Sequence, residues 1–219
     1  IQCQLESAEA SAGRKSGCVL LVAVSKTQPA EVLAAAYGLG QRHFGENYLQ
    51  EALNKQAQLA HCDITWHFIG PIQSNKTRPI AEHFHWVHSV DRLKIAERLS
   101  EQRPAHLPPL NLCLQVNISG EDSKSGVNPA DLADLASAVA ALPKLSLRGL
   151  MTIPATNDDP NLQRQPFAQL RALYLPLQAR FGLDTLSMGM TDDLVAAVAE
   201  GSTLVRIGTA IFGSRKPRP

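Results

Sequence analysis

The stretch Val19-Leu-Leu-Val-Ala-Val-Ser-Lys26 decides the fold of this 219-residue chain. Its first six residues are apolar, and such an uninterrupted run is typical of a parallel strand that is buried on both faces. Pro29 then begins an alanine-rich segment with helical spacing. Lys26 is therefore predicted to stand where a strand leaves the core and turns into its helix, which is the edge where α/β proteins bind ligands.

A lysine at such a strand end can be chemically reactive. Apolar neighbours would lower the pKa of the Lys26 amine from about 10.4, and a neutral amine can form a Schiff base with an aldehyde. The alternative is a lysine whose stem packs on the protein while its ammonium group stays in water. This second interpretation is the more common one for a single strand-end lysine, so the rest of the chain has to decide.

Strand-like and helix-like segments alternate along the whole chain. After the first strand, further strands are predicted at 42–45, 65–69, 85–88, 110–118, 145–151, 185–188 and 203–207. Strict alternation predicts a parallel α/β sheet, and eight strands favour a closed (β/α)8 TIM barrel over an open sheet. Residues 1–16 are predicted to form a short helix or a frayed end, and 1–219 is predicted to be a single barrel domain.

The composition excludes several classes of partner. The formal net charge is +1, so no strong field would attract nucleic acid or an anionic membrane. No secretory signal and no apolar run long enough for a bilayer are present. The four cysteines show no CxxC spacing, which is typical of the reducing cytoplasm. Because a complete barrel leaves no extra apolar face, we expect a monomer.

Two segments near the carboxyl end predict a phosphate site. Residues 187–190 follow the seventh predicted strand and residues 206–209 end the eighth, and barrels often bind phosphate between these two loops. Glycines would let backbone N–H groups approach the anion, hydroxyls would donate further hydrogen bonds, and an arginine would add charge or reach a ligand ring. The residues concerned are Ser187, Gly189, Arg206, Gly208 and Thr209. Ordinary glycine- and serine-rich turns are the alternative.

Other polar residues lie near strand ends or within strands. Asn47 could bind a ligand or cap the next helix, and capping is the more common use. His67 falls within a strand and is predicted to be a hydrogen-bonded core residue. His83, His85 and His88 suggest zinc, but residues 85 and 88 would face opposite sides of a strand and no further ligands complete a set. No metal site is therefore predicted.

The lysine and the phosphate site together suit one ligand, because pyridoxal 5′-phosphate (PLP) carries both an aldehyde and a phosphate. From about Val19 to Arg215, the chain also resembles the YggS/PROSC family of PLP homeostasis proteins. The resemblance lies in long blocks in the same order: 22–27 (VAVSKT), 44–48 (FGENY), 66–71 (WHFIGP), 73–76 (QSNK), 115–119 (QVNIS), 123–126 (SKSG), 149–151 (GLM), 187–190 (SMGM) and 205–213 (VRIGTAIFG).

The resemblance implies a fold-type III PLP-binding barrel, similar to the N-terminal domain of alanine racemase, that holds its cofactor as an internal aldimine. It puts the Schiff-base lysine on Lys26 and a cofactor-contacting asparagine on Asn47. It puts the phosphate-binding blocks on Ser187, Gly189, Arg206, Gly208 and Thr209. Family members are thought to store or deliver PLP without an established catalytic activity, so the expected partners are PLP and, transiently, PLP-dependent acceptor enzymes. Thr191, where the family commonly has serine, and the first 16 residues depart from the pattern.

Two other functions stay open beside cofactor storage and delivery. An amino-acid racemase would need an acid or base on each face of its bound substrate. Alanine racemases take the second residue, a tyrosine, from an added domain and a partner subunit. The sequence ends shortly after the eighth strand, so that domain is not expected, and of the three tyrosines only Tyr48 is predicted near the barrel mouth. A barrel enzyme acting on a phosphosugar would explain the phosphate site but not Lys26.

Overall fold

The barrel is closed by eight parallel strands, as predicted. A computed structural model describes residues 1–120, 125–155, 157 and 159–213; part of the predicted 123–126 loop and the residues after 213 lie outside this range. Each strand pairs with the next, and the eighth pairs back with the first. The strands are β1 (Leu20–Val24), β2 (His43–Glu46), β3 (Thr65–Phe68), β4 (Trp86–Val90), β5 (Leu110–Gln115), β6 (Leu145–Met151), β7 (Thr185–Ser187) and β8 (Leu204–Ile207).

Helices follow the strands along the described chain. They are α1 (Gln2–Ser11), α2 (Ala30–Gly38), α3 (Leu49–Gln58), α4 (Thr77–His83), α5 (Leu93–Gln102), α6 (Leu132–Ala140), α7 (Pro160–Phe181), α8 (Leu194–Ala199) and α9 (Thr209–Phe212), with a 3₁₀ turn at Ser74–Lys76. Among the described helices, none combines the length and the apolar character needed to cross a bilayer.

The apolar core lies between the strands and the helices. Ala23 of β1 and Phe44 of β2 are fully buried there, in one cluster with Leu33 of α2 and Ala52 of α3. Because side chains alternate along a strand, the neighbours of these residues face the barrel interior. The interior of such barrels is usually filled by branched apolar side chains. Here it also carries a row of buried polar side chains, which leads to the candidate site.

Helix α1 packs against α8 at one side of the barrel. Its Leu5 and Ala8 are buried in a second apolar cluster that includes Leu194 of α8. Glu9 is also buried and accepts hydrogen bonds from the backbone N–H groups of Gly17 and Val19, both at 2.8 Å. Burial alone would raise the pKa of Glu9, but these backbone bonds hold it below its ordinary value. The charged carboxylate therefore ties α1 to the segment that enters β1.

Candidate functional site

A cavity of about 250 Å³ opens at the carboxyl ends of the strands. Five of the seven residues predicted as site residues line it, namely Lys26, Asn47, Arg206, Gly208 and Thr209. Ile69, Ile153, Met190 and Phe212 supply apolar wall. The cavity therefore joins a lysine, an amide, a guanidinium and a hydroxyl from three different strand ends within a partly apolar pocket, which is the usual make-up of a small-molecule site.

Lys26 is half-buried, and helix α3 fixes the backbone on both sides of it. On one side, Lys55 Nζ donates to the carbonyl oxygen of Ser25 at 2.7 Å. On the other side, the N–H of Thr27 donates to Glu51 Oε1 at 2.5 Å. Thr27 has a φ of +66°, a left-handed conformation that is unusual for a β-branched residue. The contacts from α3 thus hold the chain around Lys26 in a conformation that threonine would otherwise avoid.

A buried charged cluster lies directly behind Lys26, between the barrel and α3. Lys55 Nζ contacts Glu46 Oε1 at 2.7 Å and Glu51 Oε1 at 2.6 Å, with the Lys55 side chain only 5% exposed. Ser25 Oγ donates to the same Glu46 oxygen at 2.6 Å. Burial raises the pKa of Glu46, although Lys55 and Ser25 oppose the shift. We refer to Ser25, Glu46, Glu51 and Lys55 as the Lys55 cluster.

Asn47 follows β2 and forms part of the cavity wall. Its Oδ1 atom is buried and has no hydrogen-bond partner within the described residues. Helix α3 has Tyr48 as its N-cap residue and no side-chain capping bond, so the capping interpretation of Asn47 is wrong. A Cβ on Gly70 would lie 2.3 Å from the Asn47 carbonyl oxygen, so only glycine allows the two loops to approach this closely. The Asn47 side chain is therefore held at the cavity with its Oδ1 atom available to accept a hydrogen bond.

Arg206 lines the cavity, and its guanidinium group is hydrogen-bonded to buried residues beneath the cavity. Nη1 donates to the carbonyl oxygen and to Oγ of Ser187, both at 2.7 Å, and Nη2 donates to the Thr152 carbonyl oxygen at 2.9 Å. Burial lowers the pKa of Arg206 to about 10, which still leaves it charged at neutral pH. The cavity thus has a fixed positive charge in its wall.

The turn after β8 runs close to the end of β1. A Cβ on Gly208 would lie 3.2 Å from the Val24 carbonyl oxygen, tighter than an ordinary contact. Glycine therefore lets this turn approach β1, and it brings Thr209, the first residue of α9, to the same cavity as Lys26. The end of β1 and the turn after β8 therefore border one cavity.

The other two predicted residues, Ser187 and Gly189, do not line the cavity. Ser187 is fully buried in the barrel interior, where it accepts the hydrogen bond from Arg206. Gly189 has a φ of +99°, and a Cβ there would lie 2.6 Å from Cβ of Ala197 in α8. Local backbone and packing are thus enough to require this glycine. Their role toward a phosphate stays a prediction.

Two histidines within the strands, His67 of β3 and His88 of β4, are core residues. His67 is fully buried and hydrogen-bonded to His43 and His88 on the neighbouring strands, so the prediction of a satisfied core histidine is confirmed. His85 instead accepts a hydrogen bond from the Trp66 N–H at 3.0 Å. In the part of the chain that the structure describes, no three His, Cys, Asp or Glu side chains are grouped so that they could hold a metal ion.

Neither the Lys55 cluster nor the hydrogen bonds between the histidines are apparent from the sequence. A signal for the cluster exists, because Glu46 occupies an outward, core-facing position of its strand, next to the apolar Phe44 two residues earlier. A carboxylate there requires a buried partner. The partner, Lys55, lies nine residues later and cannot be selected without knowing which face of α3 meets the barrel.

The fold and the cavity can be compared with known proteins. Residues 7–216 match the family "alanine racemase, N-terminal domain". The pyridoxal phosphate homeostasis protein of Pseudomonas aeruginosa is 64% identical over 215 residues, covering 98% of this chain and 93% of that protein. The protein of the same name from Escherichia coli K12 is 52% identical over 216 residues, covering 97% of this chain and 92% of that protein.

Solved structures show the same relationship. PipY of Synechococcus elongatus, solved with PLP bound, is 42% identical, with a TM-score of 0.84 over 96% of this chain and all of that one. Alanine racemase from Corynebacterium glutamicum is 20% identical, with a TM-score of 0.70 over 98% of this chain and 60% of that one, which shows a shared barrel fold. The chain is thus a barrel of the alanine racemase N-terminal class. Within that class, it belongs to the pyridoxal phosphate homeostasis protein family.

Proposed function

We propose that this protein binds PLP through a Schiff base to Lys26 and takes part in intracellular PLP homeostasis by holding and passing on the cofactor. The observation that carries the proposal is the single cavity in which Lys26, Asn47, Arg206, Gly208 and Thr209 meet. PLP needs an amine for its aldehyde and donors for its phosphate. Both are present around one space, and the name of the P. aeruginosa relative and the PLP-bound PipY structure agree with this use.

Covalent attachment at Lys26 is supported by how its backbone is held. The Ser25 carbonyl and the Thr27 N–H, which flank Lys26, are both bonded to α3. A fixed backbone reduces the conformational freedom that the lysine loses on binding. The Lys26 amine would condense with an aldehyde and release one water molecule. Exchange of that bond for the amine of a recipient would return a free lysine, which is the chemistry that a delivery protein needs.

Phosphate recognition is proposed for the turn that follows β8. Gly208 allows the backbone to approach a ligand, and Thr209 adds a hydroxyl at the cavity. Arg206 supplies a positive charge that stays present at neutral pH because its pKa remains about 10. The buried Asn47 Oδ1 is a spare acceptor that a ligand hydroxyl can satisfy.

We also propose that the protein is cytoplasmic and that it is a monomer. Four cysteines without CxxC spacing are typical of a reducing compartment. The racemase alternative requires a second acid or base at the cavity, and a tyrosine was the candidate. Tyr174 donates to the Leu183 carbonyl inside the core, and neither Tyr37 nor Tyr48 is among the cavity-lining residues. Asp192 is a carboxyl group that does line the cavity, so the positions of the tyrosines argue only against a racemase that uses a tyrosine.

The decisive experiment is a visible spectrum of the protein with PLP, followed by borohydride reduction and peptide mass mapping. We expect a Schiff-base absorption band and a reduced cofactor adduct on the peptide that contains Lys26. Lys26→Ala should remove both while the protein remains folded by circular dichroism. Lys94→Ala is the matched control, because Lys94 is exposed on α5 and is not among the residues that line the cavity.

Two results would contradict the proposal. An unchanged absorption band in Lys26→Ala would show that the aldehyde is held elsewhere. An adduct distributed over surface lysines, with the same yield in both variants, would show non-specific reaction. In that case a phosphosugar-binding barrel would become the better hypothesis.

A further inference from the structure

A chain of hydrogen bonds crosses the barrel interior and ends at the cavity. It begins at His43, the first residue of β2, and passes through one side chain from each of four further strands. Its members in order are His43 (β2), His67 (β3), His88 (β4), Ser187 (β7) and Arg206 (β8). The successive distances between polar atoms are 3.0, 2.9, 2.7 and 2.7 Å. We refer to the three imidazoles as the histidine chain.

The chain is buried and its rings are fixed. His67, His88 and Ser187 have no exposed surface, whereas His43 is half-buried at the amino-terminal end of its strand. The His88–Ser187 bond joins β4 to β7, which are not neighbours in the barrel, so it must span the interior. The Trp86 ring stacks on His67 with an angle of 16° between the planes. This stack and the hydrogen bonds at both of its nitrogens limit rotation of the His67 ring.

The direction of every hydrogen bond follows from Arg206. A guanidinium group donates hydrogen bonds and accepts none. Ser187 Oγ must therefore accept from Arg206 Nη1, which leaves the serine hydroxyl hydrogen to be donated to another atom. Among the described residues, His88 Nδ1 at 2.7 Å is the remaining polar neighbour of that hydroxyl. His88 Nδ1 thus accepts, and in a neutral imidazole the proton must then be on Nε2.

The hydrogen-bond direction set at His88 also fixes the direction at His67 and His43. His88 Nε2–H donates to His67 Nδ1, so His67 carries its proton on Nε2 and donates it to His43 Nδ1. His43 is left with its own Nε2–H at the far end. Burial lowers the pKa of all three histidines, that of His88 to about 3, so they stay neutral at physiological pH. One tautomer is therefore imposed on three consecutive rings.

We propose that the histidine chain is a one-way hydrogen-bond scaffold that positions Arg206 in the cavity wall. A hydroxyl that donates to the next group becomes a stronger acceptor, because hydrogen bonds in a chain polarise one another. The aligned histidine chain therefore makes Ser187 a stronger acceptor for the buried guanidinium group and fixes the direction of the hydrogen bond from Arg206 to Ser187. It does not conduct protons to the cavity, since the arginine at its end does not give up a proton. His67 and His88 are positioning residues in this scheme and need not touch a ligand.

The role of Arg206 toward PLP rests on the proposed function, but the histidine chain can be tested without any cofactor. The full-length protein, labelled with ¹⁵N-histidine, would be studied by long-range ¹H–¹⁵N NMR before and after PLP is added. We expect three histidines that show only the Nε2–H tautomer, two of which, His67 and His88, do not titrate near pH 6.5, the ordinary value for a free histidine. An Nδ1–H tautomer in His88 or His67 would overturn the proposal.

Substitutions at Ser187 test whether the order of the chain depends on its link to Arg206. Ser187→Ala removes the donor to His88 but leaves the Arg206 bond to the Ser187 backbone carbonyl. We expect mixed tautomers at His88 and also at His43, which lies two rings away, together with faster rotation of the Arg206 guanidinium. Ser187→Thr keeps the hydroxyl and should restore a single tautomer. An effect confined to His88, or no effect, would contradict a connected scaffold.

Ser202→Ala is the matched control. Ser202 is equally buried beside β8, and its hydroxyl donates to the Met188 carbonyl at 2.7 Å without touching the histidine chain. It should leave all tautomers unchanged, and a change there would mean that general loosening explains the result. If Ser187→Ala does not fold, the tautomers of the unaltered protein still decide. Since PLP is absent from the first measurement, failure of the scaffold and failure of cofactor binding are separable.

Discussion

Lys55 Nζ lies 2.7 Å from the carbonyl oxygen of Ser25, the residue that precedes Lys26. The same ammonium group contacts the carboxylates of Glu46 and Glu51, and Glu51 in turn accepts the N–H of Thr27. One buried lysine therefore organises the backbone around another lysine that faces the cavity. The geometry of the candidate attachment point depends on helix α3 as much as on the strand that carries it.

Lys55→Met should destabilise the protein strongly. The substitution keeps most of the side-chain volume but leaves the buried Glu46 without its cation and the Ser25 carbonyl without its donor. Removing one partner of a buried ion pair typically costs about 3–5 kcal/mol. The free energy of unfolding, measured by urea titration, should fall by an amount of this order. The exposed Lys94→Met is the control and should change it by no more than about 0.5 kcal/mol.

The ion pair can be separated from general packing by a double-mutant cycle. Glu46→Gln in the Lys55→Met background removes the uncompensated charge, so part of the lost stability should return. The coupling energy between the two positions should be at least about 1 kcal/mol, as is usual for groups that share one network. Additive effects of the two substitutions would contradict the ion-pair explanation.

His88 should make the protein sensitive to acid. Burial and the nearby charge of Arg206 lower the pKa of His88 to about 3 from 6.5. Between these two pH values His88 binds a proton in the unfolded protein but not in the folded one. Its contribution to the free energy of unfolding is therefore fully present above pH 6.5 and is lost as the pH falls toward 3. Since each tenfold change in proton affinity is worth about 1.4 kcal/mol, the loss could reach about 5 kcal/mol.

The difference between His88→Gln and the unaltered protein isolates this contribution. Burial also lowers the pKa of His67 and raises that of Glu46, so the total profile contains contributions of opposite sign. Glutamine has no titratable group, so the unfolding free energy of the His88→Gln variant should depend less on pH between about 3 and 6.5. Parallel profiles for the two proteins, measured by urea titration at successive pH values, would exclude His88 as the source.

The strand count and the cavity could be predicted because they depend on local patterns. Strand β6 has the same bounds in the sequence prediction and in the structure, 145–151. Helix starts are harder to fix from sequence: Thr191 and Pro129 are residue types typical of a helix start, but α8 and α6 begin three residues later, at Leu194 and Leu132. Turn residues before a helix share the polar composition of caps, so local pattern cannot distinguish them.

The supporting network behind the cavity could not be predicted in the same way. His88 and Ser187 are 99 residues apart and meet only because the barrel closes. Ser187 is recognisable as a polar residue at a strand end, but sequence does not show whether it faces a ligand or another side chain. The structure shows that it contacts Arg206 and His88, so its influence on the cavity passes through Arg206.

Two glycine substitutions should act in opposite directions. Gly208→Ala places a Cβ 3.2 Å from the Val24 carbonyl oxygen, which requires the turn to move away from β1. We expect about 1 kcal/mol of destabilisation, as for other overpacked sites, and weaker PLP retention. Gly38→Ala adds a Cβ at the end of α2, where no atom lies within 4 Å, and should stabilise the protein by up to about 1 kcal/mol. Thermal unfolding of both variants tests the contrast, and a shift of the same sign would contradict it.

Thr209→Val should distinguish the phosphate form of the cofactor from the unphosphorylated one. The substitution keeps the shape of the side chain and removes the hydroxyl of a residue that lines the cavity. A hydrogen bond to a charged group is worth about 1.5–3 kcal/mol, and the low end of this range applies because Thr209 is exposed. We therefore expect the dissociation constant for PLP to rise about tenfold, with a smaller change for pyridoxal.

Spectroscopic titration of the two ligands against each variant provides the measurement. Thr65→Val is the control, since Thr65 begins β3 at the opposite end of the barrel and should leave both dissociation constants unchanged. Substitution of Arg206 should also weaken PLP more than pyridoxal if its charge acts on the phosphate. Equal losses for the two ligands in Thr209→Val would mean that the hydroxyl contacts the ring or only the protein. The phosphate would then have to bind at another part of the cavity wall.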